Sequence, residues 1–97
     1  MNSVMKHDTT VTVLRAIGDD VRLGMVRALL HERKAVSGCD IVESCASLTK
    51  LSQPTMSHHF NKLVEAGVLI EAKTGVAKSY QLNRALLKSV GININKL

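Results

Sequence analysis

The chain has 97 residues, 45% hydrophobic and 22% charged, with 13 basic and 8 acidic side chains and a formal net charge of +5. That size supports one domain with one modest core, and the composition excludes wholesale disorder. No apolar run approaches the ~20 residues needed to span a bilayer, and no apolar signal-peptide segment is visible at the N-terminus. Two cysteines do not make a disulfide framework, so a single cytoplasmic domain over residues 1–97 is expected, with 1–7 frayed.

In chain order, Asp8 caps a first predicted helix through Ile17, with Val11, Leu14 and Ile17 as its apolar face and Gly18 as its stop. Asp19 caps a second helix. Val21, Met25, Ala28 and Leu29 form its stripe, and Leu23, Val26 and Leu30 widen it, which places this helix in the middle of the domain. Its end is expected near Arg33 and Lys34, charges that suit a helix C-terminus. Ser37-Gly38-Cys39-Asp40 has Ser-x-x-Asp capping spacing and opens a third helix through about Ser47, with Ile41, Val42, Cys45 and Leu48 apolar. Ser47 to Leu51 is a short turn.

The fourth helix, 52–66, has both ends marked. Ser52 is a good N-cap, Pro54 falls in the first turn where its missing N–H is not needed, and Gly67 suits the left-handed stop. Met56, Phe60, Leu63, Val64 and Gly67 form a buried stripe at helical spacing. Thr55, His58, Asn61, Lys62 and Glu65 fall on the opposite side, with Ser57 at its border. That outer face is short, polar and rich in groups that reach base edges and phosphates. A helix built for solubility alone would more often carry Glu and Lys four apart. A third helix, a turn and this helix make a helix-turn-helix.

After Gly67 the period becomes two. Val68, Ile70 and Ala72 point one way and Leu69, Glu71 and Lys73 the other; Thr74 to Ala77 turns the chain; Lys78 to Asn83 returns with Tyr80 and Leu82 inward. The hairpin, or wing, spans 68–83, with Lys73 and Lys78 flanking its tip. Asn83 caps a last helix, Arg84 to Val90, stopped by Gly91. The expected fold class is therefore mainly α with a small β-hairpin, in an order α-α-α-α-β-β-α that resembles a winged helix-turn-helix domain. Charge follows this order: residues 1–50 carry seven Lys/Arg and six Asp/Glu, while 51–97 carry six and two. A positive half that contains the polar helix favours a polyanionic partner over a merely soluble basic surface.

Leu51-Ser52-Gln53-Pro54-Thr55-Met56-Ser57-His58-His59-Phe60, followed by Leu63-Val64-Glu65-Ala66-Gly67-Val68-Leu69, resembles the recognition helix of ArsR-type bacterial repressors. Gly18-Asp19-Asp20-Val21-Arg22-Leu23 is similar to that family's Asp-Pro-Thr-Arg-Leu segment, with Asp20 in place of Pro. The strand ending Ser79-Tyr80-Gln81-Leu82-Asn83 is similar to the family's wing. The resemblance covers about residues 11–90. It implies a repressor that places this helix in the major groove of double-stranded DNA and the wing along the backbone. Gln53, Thr55, Ser57 and His58 are then expected to contact DNA, with Asn61 and Lys62 nearby. Gln can pair bidentately with adenine, and Lys62, Lys73 and Lys78 suit phosphates. His59, at the edge of the buried stripe, is expected to pack instead.

The resemblance also implies pairing through the first and last helices. Val11, Leu14, Ile17, Leu86, Leu87 and Val90 are the candidate homodimer interface, the alternative being that they finish a small core. A dimer would read an inverted repeat. Metal-sensing relatives carry Cys-x-Cys-Asp-Leu where this chain has Ser37-Gly38-Cys39-Asp40-Ile41, or ligand pairs on a last helix that here holds no His, Asp or Glu. No metal, cofactor or effector is assigned. Cys39, at a helix start that favours thiolate, is a candidate regulatory thiol in a redox-responsive alternative; Cys45 is expected to pack. An enzyme is not expected, because no phosphate loop, paired carboxylates or metal-activated water site is present. The remaining rival is a winged-helix module that binds protein, which Thr55, His58, Asn61 and Lys62 disfavour and Glu65 does not.

Overall fold

The computed structural model describes residues 8–45 and 48–97. Its elements are α1 (Thr9–Ile17), α2 (Asp20–Ala28), β1 (Val36–Ser37), α3 (Gly38–Glu43), α4 (Gln53–Glu65), β2 (Leu69–Thr74), β3 (Ala77–Leu82) and α5 (Arg84–Ser89). Short 3-10 turns lie at Leu48–Lys50 and Ile94–Lys96. The frayed segment 1–7 and the expected end of the third helix at Ser47 lie outside the described residues. The five helix starts follow their caps: Asp8, Asp19, Ser37, Ser52 and Asn83 each accept a backbone N–H three residues on, satisfying a donor that has no partner within the helix.

The described residues share one aliphatic core, to which α1 brings Val13, Ala16 and Ile17, α2 Met25 and Val26, α3 Ile41, α4 Phe60 and Leu63, the sheet Leu69, Tyr80 and Leu82, and α5 Leu87. Gly67 ends α4 at φ +82, and a Cβ there would lie 3.0 Å from the Leu86 side chain. The left-handed backbone favours glycine here, and the absence of a Cβ leaves room for the Leu86 side chain of α5. The hairpin runs in the register Leu69↔Leu82 to Thr74↔Ala77. Its two-residue turn has Gly75 at φ +64 as first central residue, which matches the twist of the strands.

Four expectations change. The buried face of α1 is Val13, Ala16 and Ile17, while Val11 and Leu14 stay 42% and 50% exposed; the helix carries two apolar stripes, and the one that packs lies toward α2. The second helix stops at Ala28, not near Arg33. Beyond it the chain unwinds because the Arg84 guanidinium reaches over from α5 and donates to the carbonyls of Leu29, Leu30 and Glu32. The third helix is one and a half turns long, so Cys45 lies past its end, its thiol 3.7 Å from the Gly24 carbonyl. Finally, Val36–Ser37 forms an unexpected strand, paired antiparallel as Val36↔Tyr80 and Ser37↔Ser79, so the wing is part of a three-stranded sheet of order β1-β3-β2.

Candidate nucleic-acid interface

The outer side of α4 is solvent-facing over Gln53, Thr55, Ser57, His58, Asn61, Lys62 and Glu65. Phe60 and Leu63 fix the phase from below, because they are buried against the core. At the N-terminus, Ser52 Oγ accepts from the Thr55 N–H at 3.3 Å and donates to Thr55 Oγ1 at 2.8 Å. The cap therefore holds the Thr55 side chain while leaving the Thr55 hydroxyl proton available to a partner.

Gln53, Ser57 and Asn61 form one wall of a groove of about 520 Å³; Val76 and Lys78 of the wing form the other. Its floor is the Phe60–Tyr80 pair, rings parallel to within 5° and centroids 4.3 Å apart. Gly38, at the start of α3, also lines the groove beside the Tyr80 and Phe60 rings. Burial, and then the neighbouring Glu71 carboxylate, push the Tyr80 hydroxyl up to about 12. Glu71 also meets Lys78 at 3.6 Å. Lys73 and Lys78 are cross-strand partners near the tip, and both are exposed. Helix α4 and the hairpin thus meet on a shared aromatic base.

His59 packs inward, its side chain 14% exposed. Its Nδ1 lies 3.0 Å from the Arg22 guanidinium. Arg22 entered the sequence reading only as part of a motif; its spacing from Asp19 is the signal that it belongs with the cap of α2. The Asp19 carboxyl is held below its usual range, mainly by the hydrogen bond from the Arg22 amide, against a smaller rise from burial, and further by the Arg22 charge and, when its ring is protonated, that of His59. Cys39 is exposed at the groove rim, and Cys45 is half-buried. Of the six interface candidates, Val11 and Leu14 are open, Leu86 and Val90 are half-buried, and Ile17 and Leu87 belong to the protomer core. Among the described residues no three His, Cys, Asp or Glu side chains group to hold a metal ion, and no helix is long and apolar enough to cross a membrane.

The family model for bacterial regulatory proteins of the arsR family matches residues 19–71, over half of the chain and spanning α2 to the start of the wing. The chain belongs to the arsR family. It is 32% identical over 91 residues, 94% of its length and 82% of the relative's, to an arsenical resistance operon repressor of Staphylococcus aureus. It is 34% identical over 77 residues, 79% of its length and 81% of the relative's, to an uncharacterised HTH-type transcriptional regulator of Methanocaldococcus jannaschii. The fold is similar to that of an ArsR-like transcriptional regulator from Rhodococcus sp. RHA1, with a TM-score of 0.63 at 23% identity, covering 84% of this chain and 72% of that one. This arsR-family member is a DNA-binding transcriptional repressor of the winged helix-turn-helix type, and not an enzyme.

Proposed function

We propose that this repressor acts as a two-fold homodimer in the cytoplasm, reading an inverted repeat in double-stranded DNA with α4 in each major groove and the wing along the adjacent backbone. The observation that carries the reading is the outer face of α4. Gln53, Thr55, Ser57 and His58 are exposed together, over a buried stripe that fixes their direction. Base-edge recognition needs such donors and acceptors on a rigid element, while Lys62, Lys73 and Lys78 supply phosphate contacts that set register without reading sequence. Dimerisation is supported by the apolar stripe of Val11 and Leu14, which the protomer leaves uncovered. Two half-sites also raise specific affinity beyond that of one module.

Selection of bound sequences from random duplex DNA by the purified protein tests this reading. An enriched inverted repeat is expected, with half-site centres about one helical turn or a multiple apart. Enrichment of a single, unrepeated element would contradict the dimer. Absence of any enriched site would contradict sequence-specific reading.

A further inference from the structure

We propose that Arg22 and His59 position the recognition helix: the neutral His59 ring, accepting from Arg22, holds α4 in its DNA-reading orientation, and protonation of that ring releases it. The inference rests on the placement of α4 in the major groove proposed above, and it adds two residues that touch no base.

Three helices meet at one side chain. Arg22 Nε donates to the Ala16 carbonyl at the end of α1, at 2.6 Å, and its terminal nitrogen lies 3.0 Å from His59 Nδ1 on α4. A guanidinium only donates, so Nδ1 must present its lone pair, and the proton of the neutral ring sits on Nε2. Asp19 completes the cluster. Its Oδ2 caps α2 through the Arg22 amide at 3.0 Å and stands 3.8 Å from the same Nδ1. That last pair becomes an ion pair only when the ring is charged.

The charged groups facing the ring are therefore Arg22 and Asp19. From α1 the group that enters the cluster is the Ala16 carbonyl. β2, which also packs on α4, carries Glu71, engaged by Lys78 and Tyr80, and Lys73, near the wing tip. On its own helix, His59 meets the His58 ring edge-on at 5.8 Å between centroids. Protonating Nδ1 sets two donors and two positive charges against each other. The acceptor beside them is the Asp19 carboxylate, which receives the cap's N–H on Oδ2 and keeps lone pairs free for the charged ring. The ring must turn from Arg22 toward Asp19, which exchanges the Arg22 bond for an ion pair with the cap of α2, shifts α4 from the orientation that Arg22 holds, and disturbs the neighbouring His58 on the DNA-facing side.

The test measures affinity for the selected operator at fixed salt, from about pH 8 to about pH 5.5, a window in which imidazole takes up a proton. Wild type is compared with His59→Ala and His59→Asn; the asparagine oxygen can take the place of Nδ1 as acceptor and does not titrate. His59→Ala should lose roughly tenfold at the upper pH, the size expected for a hydrogen bond from a charged donor, and His59→Asn should recover most of it. Wild type should lose about tenfold more than His59→Asn as the pH falls. The other three histidines, His7, His31 and His58, are common to both proteins. Parallel wild-type and His59→Asn profiles would overturn the proposal, even if His59→Ala fails to fold. So would folded alanine and asparagine variants of equal affinity at the upper pH. A wild type that binds no operator overturns the underlying reading instead, and is recognised by its own failure.

Discussion

Lys73 and Lys78 stand directly opposite each other across the wing, the second near Glu71 at 3.6 Å. Like charges facing across strands destabilise an isolated hairpin, and an exposed pair with Glu71 offsets little of that. The arrangement becomes favourable beside a polyanion. Lys73→Ala and Lys78→Ala are each expected to weaken binding to operator and random duplex alike and to lower the slope of log affinity against log salt by about one. The melting temperature should not fall in Lys73→Ala. A double variant with the wild-type slope would place the wing off the backbone.

Phe60 joins the recognition helix to the wing through its stack on Tyr80. Phe60→Ala should destabilise the fold by ~3–5 kcal/mol, since a buried ring leaves a cavity on a rigid floor. Denaturant unfolding measures this. A stability equal to wild type would mean that the helical phase of α4 is wrong, and with it the outer face assigned to DNA.

The legibility of this fold in the sequence divides along the range of the interactions. Helix starts were readable because a cap is local: Asp8, Asp19, Ser37, Ser52 and Asn83 each act on a residue three positions on. The end of α2 was not, because it is fixed by Arg84, more than fifty residues away in the chain. Val36–Ser37 is too short to show a period, and only its pairing with β3 makes it a strand. On α1 the apolar residues lie on two faces, so periodicity alone could not choose between Val11–Leu14 and Val13–Ala16. At the site, the exposed positions of α4 and the inward His59 were legible from helical phase. The role of Arg22 was not, because it depends on α1, α2 and α4 meeting in space.

The chain contains one tyrosine, so its ionisation can be followed by ultraviolet absorbance without overlap from another. In the folded protein Tyr80 should titrate near 12, displaced upward by burial and by Glu71. A folded value above the unfolded one means that the neutral ring favours folding. That contribution is fully present below the usual tyrosine value of about 10 and is lost as pH rises through 12. A folded-state midpoint near 10 would show the hydroxyl to be solvated and the groove floor open.

The uncovered stripe on α1 makes a separate prediction about assembly. Leu14→Glu should convert a dimer to a monomer, as read by sedimentation equilibrium, because it buries a charge without a partner in the proposed interface. Leu14 is half-exposed in the protomer, so the monomer itself should keep its thermal stability to within about 0.5 kcal/mol. An unchanged dimer mass in the variant would exclude this stripe as the interface, and a monomeric wild type would exclude the two-fold reading.

The central claim is that the outer face of α4 reads bases, and its most direct measurement is affinity for the selected operator and for a scrambled duplex at one fixed salt concentration. Gln53 and His58 are exposed, so neither substitution should alter thermal stability by more than about 0.5 kcal/mol. Gln53→Ala and His58→Ala should each lose about 1–3 kcal/mol per contacted base on the operator and little on the scrambled duplex. In a two-fold complex the loss should appear symmetrically about the operator centre. An equal loss on both duplexes would show that these side chains only position the backbone, and no loss on either would show that this face does not meet DNA.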